Sequence, residues 1–272
     1  MQLLRDYLSE EMTAAGLPPE WEGHRSPGRP DSHALARVVS VRQISPSYYR
    51  VEVGGAELAR FAVGGFHFRL LLGPKDAPWP MTDSNGVTQW PGGLAAWHRP
   101  VYTTRLLQIT PDGARLSFDV FIHEGGRVTE WCRTVQPGAE IVLVGPSGTG
   151  GRSGAAWQGF VGDETALPII ARLLEELPDT VRGQAILVVP TAQDIQPLKH
   201  PGGVQLTWVF REQGGTPGSA INMLKIPEIA SQSAAEHAVF FAAGATDAPD
   251  ARKALLAHGL TKAGITAAAY WS

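Results

Sequence analysis

The spacing of hydrophobic residues changes near residue 150, and this change divides the chain into two differently built halves. Between residues 35 and 144, short β-type segments are separated by turn residues, and the segments 47–53 and 114–121 alternate apolar with polar side chains. Such alternation is typical of antiparallel strands with one solvated face. Six strands are predicted, at 35–44, 48–53, 66–72, 101–109, 115–122 and 140–144. This pattern indicates a small antiparallel barrel or sandwich.

In the second half, apolar strands alternate with helices. This alternation is typical of βα units and predicts a parallel sheet. The glycine-rich residues 145–154 join the halves. We therefore expect an N-terminal helix and connecting loop at 1–34, a β domain at 35–150 and an α/β domain at 151–272. The predicted strands of the last domain are 157–162, 184–189, 204–210, 237–243 and 265–271, and its helices are 165–177 and 248–258.

The composition argues against several classes of protein. The net charge is −3, from 23 basic and 26 acidic side chains, whereas nucleic-acid binding depends on a basic excess. The single cysteine, Cys132, is too few for a disulfide or a thiolate metal centre, and it indicates a reducing compartment. The eight histidines do not fall at the spacing of metal ligands, and no apolar run reaches membrane-spanning length. We expect a cytoplasmic protein without a membrane span or a bound metal.

Several familiar catalytic motifs are incomplete in this sequence. Residues 145–150 have the glycines of a phosphate-binding P-loop, but Gly151 and Arg152 stand where the lysine and the Ser or Thr are needed. Neither the G-x-S-x-G turn of serine hydrolases nor the G-x-G-x-x-G fingerprint of Rossmann dehydrogenases occurs. Cys132 falls in the middle of a predicted helix, where we expect it to pack rather than to act as a nucleophile.

Two segments of the first half suit a planar cofactor that carries a diphosphate. Residues 98–105 place an aromatic ring, two hydroxyls and two cations at the start of a strand, and this set would stack on a ring and neutralise phosphates. Residues 119–131 have the pattern of a strand, a glycine turn and a helix start. Backbone N–H groups there, with Arg127 and Thr129, would suit a phosphate. The alternative is a capped helix that only covers one end of the barrel.

Taken in order, these segments resemble the siderophore-interacting protein family of flavin-dependent ferric-siderophore reductases. Residues 101–105 resemble the family's RxYTxR strand, and residues 120–131 resemble its VLH…GPASxWA segment. The segment 162–168 reads GDETALP, as the family's does, and Tyr270-Trp271 ends the match. The resemblance spans roughly residues 35–271. It implies a two-domain, ferredoxin-reductase-like fold: a six-stranded Greek-key β-barrel that holds FAD, then an NAD(P)-binding-like α/β domain with a parallel sheet.

The resemblance also implies a role for the matching residues. Tyr102 and Thr103 would contact the isoalloxazine ring, His123 and Thr129 would contact the ribityl or diphosphate region, and residues 163–165 would approach the flavin from the second domain. No catalytic residue beyond the flavin is implied. The implied cofactor-binding set is Arg99, Val101, Tyr102, Thr103, Thr104, Arg105, Asp119, Phe121, His123, Val128, Thr129, Asp163, Glu164 and Thr165.

The sequence departs from the family pattern at two places. The family's arginine lies two residues before the tyrosine, where this chain has Pro100, and Arg99 lies three before, on the other face of a regular strand. Either a bulge at Pro100 restores Arg99 to that face, or Arg105 binds the diphosphate. The proline and alanine of the family's GPAS are Arg127 and Val128 here.

The resemblance implies an enzyme that reduces chelated Fe(III) to Fe(II), with electrons from NADH, NADPH or a reduced ferredoxin. A flavin converts two-electron into one-electron chemistry, and hard oxygen ligands hold Fe(II) less tightly than Fe(III). Trp271 would cover the flavin or close a core. The alternatives are a flavin oxidoreductase with another acceptor and a flavin- or siderophore-binding module without turnover. Cations that would attract an anionic ferric siderophore are Lys199, Arg211, Lys225 and Lys262.

Overall fold

The computed structural model describes residues 28–148, 151–228 and 236–272. The predicted N-terminal helix and residues 149–150 of the predicted joint lie outside the described residues. The described residues group into two compact units: 28–44 with 48–148, and 45–47 with 151–228 and 236–272. Within the described ranges, every helix is too short or too polar to cross a membrane.

The first unit is built around a seven-stranded sheet in which β1 with β9, β2 with β8, β3 with β6 and β9, and β7 with β8 pair antiparallel, as the sequence predicts. The strand order across this sheet is β6-β3-β9-β1-β2-β8-β7, and β4 pairs with β5 in a separate ribbon. An α-helix, α1 (Arg127–Thr134), lies between β8 and β9 in the sequence. The strands are β1 (His33–Ser45), β2 (Tyr48–Gly55), β3 (His67–Leu71), β4 (Met81–Thr82), β5 (Thr88–Gln89), β6 (Val101–Thr103), β7 (Leu106–Thr110), β8 (Gly113–Phe121) and β9 (Glu140–Ser147).

The predicted count of six strands is wrong, because the predicted strand 101–109 is interrupted at Thr104 and Arg105. β6 pairs with β3 whereas β7 pairs with β8, at the opposite end of the strand order. The N–H of Thr104 donates to Phe66 O at 2.7 Å, and the N–H of Arg105 donates to Ser117 O at 2.8 Å. Two residues therefore link the two edge strands, so the sheet curls toward closure as a barrel does.

The core of the first unit lies on one face of this sheet, because side chains alternate along each strand. Phe68 and Phe118 are fully buried there, with ring centroids 5.4 Å apart in an edge-to-face contact. The opposite face of β3 is covered by the tryptophan-rich segment 73–98. In this second cluster Trp97 is buried together with Leu71 and Val142.

The second unit contains a five-stranded parallel sheet, which confirms the prediction for this half. The strand order is β12-β11-β10-β13-β14. A helix at Pro217–Ile221 is not predicted, because five residues are too few to show a helical period. The strands are β10 (Trp157–Gly162), β11 (Arg182–Val189), β12 (Val204–Phe210), β13 (His237–Gly244) and β14 (Ile265–Trp271), and the helices are α2 (Leu167–Glu176), α3 (Pro217–Ile221) and α4 (Asp247–Ala257).

The strand order of the second unit creates a topological switch point between β10 and β13. The chain runs outward from β10 through β11 to β12 and then returns to β13 and β14 on the other side. In open parallel sheets, ligands bind in the crevice beyond the carboxyl ends of the strands at such a point. The residues that follow β10 and β13 therefore lie where this fold places its ligands.

Candidate functional site

Strand β6 and the residues just before it keep an unbroken register with β3, and this register includes Pro100, the residue that departs from the family pattern. The N–H of Leu70 donates to the carbonyl of Pro100 at 2.9 Å, within the ladder between the two strands. The bulge at Pro100, one of the two alternatives from the sequence, is therefore not formed. The opposed pairs are His67 with Thr103, Phe68 with Tyr102, Arg69 with Val101, and Leu72 with His98.

Because this register is regular, Arg99 and Tyr102 point to opposite faces of the strand. Tyr102 packs on the core, with its ring centroid 5.2 Å from that of Phe118. Burial raises the pKa of the Tyr102 hydroxyl, and the neighbouring Cys132 thiol adds to the shift. Arg99 instead places its guanidinium carbon 5.4 Å from the ring centroid of Trp90. A cation–π contact of this kind is worth about 0.5–1 kcal/mol and holds Arg99 on the outer face.

The end of β6 is a buried polar corner. Thr103, Thr104 and Arg105 are 5%, 1% and 4% exposed, whereas Val101 is 51% exposed. The hydroxyl oxygen of Thr104 has no hydrogen-bond partner among the described residues. A buried polar atom without a partner costs about 1–3 kcal/mol, so this oxygen is a candidate ligand contact.

The carboxylate of Asp119, on β8, forms an ion pair with Arg50, which lies opposite it on β2. Arg50 Nε donates to Oδ1 of Asp119 at 2.7 Å, and Nη2 donates to Oδ2 at 2.8 Å. The Asp119 side chain is buried, whereas that of Arg50 is 20% exposed. Asp119 therefore orients Arg50, a residue that the sequence analysis does not single out. Phe121, two residues further along, packs its ring against Tyr48 at 5.6 Å.

A tight turn leads from β8 into α1. The N–H of His123 donates to Thr129 Oγ1 at 3.3 Å. A Cβ at Gly126 would lie 2.5 Å from the His123 ring, so the ring lies directly against this glycine. The helix begins at Arg127 without a side-chain cap at Gly126, and uncapped N–H groups of a first turn favour anions. Val128 and Thr129 are buried beneath this helix start.

Cys132 lies in α1 and is buried, which confirms the packing role expected from the sequence. Burial raises the pKa of its thiol to about 12. The thiolate, which is the nucleophilic form, is therefore scarce at neutral pH.

In the second unit, Asp163 organises the carboxyl end of β10. Its Oδ1 accepts hydrogen bonds from the N–H and the hydroxyl of Thr165, at 2.9 Å and 2.6 Å, and its Oδ2 accepts one from Trp271 Nε1–H at 2.7 Å. Trp271 is 48% exposed, so it covers this edge of the sheet and does not close a core. A Cβ at Gly244 would lie 2.9 Å from the indole, so glycine lets the ring lie against the end of β13.

Glu164 and Arg211 form an ion pair at the same edge of the sheet. Arg211 follows β12, and its Nε donates to both carboxylate oxygens of Glu164, at 3.0 Å and 2.9 Å. Burial raises the pKa of Glu164; the bond and charge of Arg211 act against this shift, and the nearby Asp163 carboxylate adds to it. The edge therefore combines a buried carboxylate pair with one partly exposed cation.

Of the four candidate substrate cations, Arg211 alone directly follows the carboxyl end of a strand. Lys262 lies in the short turn before β14, and the backbone N–H of Lys225 donates to Gln184 Oε1 near the start of β11 at 2.6 Å. Both lysines are therefore placed toward the amino ends of the parallel strands. Lys199 lies in the connection that leads into β12. The fold does not bring these lysines together with Asp163 and Glu164.

An antiparallel barrel-like sheet followed by a five-stranded parallel sheet is the ferredoxin-reductase-like fold. The crystal structure of the siderophore-interacting protein SipS from Aeromonas hydrophila superposes with a TM-score of 0.70 at 25% identity, over 90% of this chain and 92% of that one. Residues 37–150 match the siderophore-interacting FAD-binding domain, and residues 155–272 match the siderophore-interacting protein model. The chain belongs to the siderophore-interacting protein family.

The chain is also similar to bacterial proteins whose names include ferric reductases. The NADPH-dependent ferric-chelate reductase of Escherichia coli is 30% identical over 186 residues, 65% of this chain and 70% of that protein. The ferric vibriobactin reductase ViuB of Vibrio cholerae is 27% identical over 254 residues, 87% of this chain and 88% of that protein. An uncharacterized Mycobacterium tuberculosis protein is 31% identical over 194 residues, 68% of this chain; the match spans 66% of that protein, just under two thirds.

The residues of the first unit fit the FAD that the domain match names. Tyr102 offers an aromatic ring, the Thr104 hydroxyl offers a hydrogen-bonding atom without a partner in the described ranges, and the start of α1 offers backbone N–H groups. All of these groups belong to the same unit. The set therefore provides the stacking, polar and anion-binding contacts that a flavin dinucleotide needs.

Proposed function

We propose that this chain is an FAD-dependent ferric-siderophore reductase, in which residues 35–150 hold FAD and residues 151–272 receive the electron donor. The observation that carries the proposal is the match of residues 37–150 to the siderophore-interacting FAD-binding domain. The buried Thr104 hydroxyl at the end of β6, which has no partner among the described residues, supports it independently. The names of the Escherichia coli and Vibrio cholerae relatives point to a ferric chelate as the substrate.

In this proposal, β6 and the start of α1 bind and orient the cofactor. Tyr102 and Thr103 contact the isoalloxazine ring, and Thr104 supplies a hydrogen bond. The Tyr102 hydroxyl is able to donate a hydrogen bond, since a phenol is protonated at neutral pH and burial raises its pKa further. The remaining cofactor residues of this unit are Val101, Asp119, Phe121, His123, Val128 and Thr129, and Asp119 acts through Arg50. Arg99, which lies against Trp90 on the outer face, and the enclosed Arg105 are left out of the proposed set.

FAD bound by these residues would supply the chemistry that takes two electrons from a nicotinamide and delivers them singly to ferric iron. The residues around the switch point of the second unit are proposed to receive the donor, because this is where parallel sheets of this kind bind ligands. Asp163 holds Thr165 and the Trp271 indole in fixed positions. Glu164 holds Arg211. NADPH is the donor that the Escherichia coli relative's name indicates, and a reduced ferredoxin is the alternative donor.

The iron is the substrate in this proposal and needs no protein ligand. Reduction to Fe(II) weakens its binding by the hard oxygen atoms of a siderophore, so the metal is released. Arg211 is the cation proposed to attract an anionic chelate, since it is 32% exposed beside the Glu164 carboxylate. A cytoplasmic location is part of the proposal, supported by a single, buried cysteine, which suits a reducing compartment.

The test is an anaerobic spectroscopic titration of the full chain. We expect the purified protein to show a flavin spectrum that bleaches on addition of NADPH or NADH and returns on addition of a ferric siderophore, with Fe(II) trapped by a ferrous-specific chelator. Reduced ferredoxin is the third donor in the series. A flavin that is reduced but reoxidised only by free flavin would identify a flavin reductase. A chelate that binds without any reduction would identify a binding module.

A further inference from the structure

The diphosphate of FAD carries negative charge, and the first unit offers more than one arginine that could pair with it. Charge-assisted bonds from arginine are the usual protein contacts to phosphate groups. The arginines of residues 99–105 and of the first turn of α1 are Arg99, Arg105 and Arg127. Two arginines nearby are already engaged: Arg50 pairs with the buried Asp119 carboxylate, and Arg69 donates to the carbonyl of Arg99. The surroundings of the other three differ, and the differences select one of them. The argument rests on the proposed function, because it assumes that the first unit binds FAD.

Arg99 is directed away from the Tyr102 face. The unbroken register of β6 places His98, Pro100 and Tyr102 on one face of the strand and Arg99 with Val101 on the other. The Arg99 guanidinium already rests on the Trp90 ring at 5.4 Å. A phosphate next to Tyr102 would therefore reach Arg99 only if that contact were broken and the side chain crossed the strand.

Arg105 is enclosed by protein atoms. It is 4% exposed, and its N–H is fixed to Ser117 O at 2.8 Å where the chain crosses to β7. A diphosphate would reach this guanidinium only after the surrounding atoms had moved. Arg105 is therefore better suited to stabilising the corner of the sheet than to direct contact with a ligand.

Arg127 differs from both because it is exposed and begins a helix that packs on the same core as Tyr102. It is the first residue of α1, after a glycine without a side-chain cap. Val128 and Cys132, further along the helix, are buried in the core cluster against which Tyr102 packs. The positive charge of Arg127 also contributes, after burial, to the lowered pKa of His98. The helix therefore lies on the core side of β6, the side of Tyr102, and not on the outer face that holds Arg99.

A cation at the first position of a helix is locally unfavourable, because the N-terminus carries the positive end of the helix dipole. The acidic residue in the first turn, Glu130, pairs with Arg133 at the other end of the helix. Arg127 therefore adds positive charge to an end that is already positive. Such an arrangement is favourable when an anion binds there.

We infer that Arg127 is the side chain that pairs with the FAD diphosphate in this protein, in place of an arginine on β6. Position 100, on the same face as Tyr102, holds a proline, which has neither a charge nor an N–H. Arg127 supplies the cation from the facing helix instead. Arg99 with Trp90 forms a separate contact on the outer face.

The inference is tested with the full chain freed of flavin, titrated with FAD and with riboflavin while tryptophan fluorescence is followed. Riboflavin has the same ring and ribityl chain but lacks the diphosphate and the adenosine, so it separates contacts to the flavin ring from contacts to the rest of FAD. We expect Arg127→Gln to weaken FAD binding roughly ten- to hundred-fold and to change riboflavin binding less than about threefold. Arg99→Gln and the matched control Arg133→Gln, on the same helix, should change neither affinity by more than about threefold.

The melting temperature of the flavin-free protein provides a second readout. Because Arg127 opposes the helix dipole, Arg127→Gln should leave that temperature unchanged or raise it. Weaker binding of FAD and riboflavin alike, together with a lower melting temperature, would show a structural role and overturn the inference. Loss of FAD affinity in Arg99→Gln but not in Arg127→Gln would also overturn it. A wild-type chain that binds neither compound would instead refute the proposed function.

Discussion

The indole N–H of Trp271 donates a 2.7 Å hydrogen bond to Oδ2 of Asp163, joining residues 108 positions apart in the sequence. Asp163 follows the first strand of the parallel sheet, and Trp271 is the last residue of the final strand. The other carboxylate oxygen of Asp163 holds Thr165. One buried carboxylate therefore fixes both the turn before α2 and the end of the sheet.

Asp163→Ala should destabilise the protein more than Trp271→Phe does. The alanine variant leaves the N–H and hydroxyl of Thr165 and the indole N–H without their acceptor, and we expect a loss of about 2–4 kcal/mol. The phenylalanine variant removes one donor from a half-exposed ring and should cost about 1 kcal/mol. Urea unfolding followed by circular dichroism measures both. The opposite ranking would show that the indole, not the carboxylate, holds this edge together.

The ion pair between Arg50 and Asp119 should be important to the first unit. Arg50→Met leaves a buried carboxylate without its partner, and we expect a loss of about 3–5 kcal/mol. The double variant Arg50→Met with Asp119→Leu should recover at least half of that loss, because no charge remains buried.

A matched control for this pair lies on the same two strands. Arg115 and Glu52 also pair across β2 and β8, but their side chains are 50% and 29% exposed. Arg115→Met should cost less than about 1 kcal/mol in the same urea measurement. Equal losses for the two arginine variants would contradict the role assigned to burial.

His33 should make the stability of the first unit depend on pH. Burial lowers its pKa to about 4, and the positive charges of Arg29 and Arg60 add to the shift. The unfolded chain therefore takes up the proton first as the pH falls. The stabilising contribution of His33 is complete above about pH 6.5 and is lost between about pH 6.5 and 4, by about 2–3 kcal/mol.

His33→Phe tests this pH dependence while keeping an aromatic ring against Trp90, which His33 meets edge-on at 6.0 Å. Between pH 7 and pH 4, the wild type should lose about 2–3 kcal/mol more of its free energy of unfolding than the variant does. Parallel pH profiles for the two proteins would show that His33 does not titrate in this range.

Arg211 should affect recognition of the ferric chelate more than the lysines do. Arg211→Gln should raise the KM for an anionic ferric siderophore about tenfold with a smaller change in kcat, since the cation attracts the substrate. Arg211→Lys keeps the charge and should give an intermediate KM. Lys262→Gln, toward the amino end of the sheet, should change KM less than about twofold. A larger effect at Lys262 would place the chelate at the opposite edge.

The sequence predicts most of the strands, because alternation and apolar runs are local signals. It predicts 101–109 as one strand because β-type residues continue through Thr104 and Arg105. The break at these residues depends on which strands lie on either side, and the two pairing partners are remote in the sequence. Closure of a sheet depends on pairing across the whole unit, so it cannot be predicted from the residue pattern within ten neighbouring positions.

The candidate site shows the same division between local and long-range information. The change of face at Arg99 follows from period-two alternation alone, and the regular register of β6 confirms it. The contacts of Arg99 with Trp90 and of Arg50 with Asp119 join different segments. The pair of Arg50 and Asp119 could have been predicted only with knowledge of the register between β2 and β8, which places these two residues opposite each other.

The interior position of β9 in its sheet has a consequence for synthesis on the ribosome. β9 lies between β3 and β1, although it is the last of these strands in the chain. Before Glu140–Ser147 emerges, the nascent chain is limited to two separate ribbons, β1-β2-β8-β7 and β3-β6, each with an unpaired edge. Unpaired edges of this kind invite association between chains. Translation that pauses before residue 140 would therefore leave the first domain at its most aggregation-prone stage.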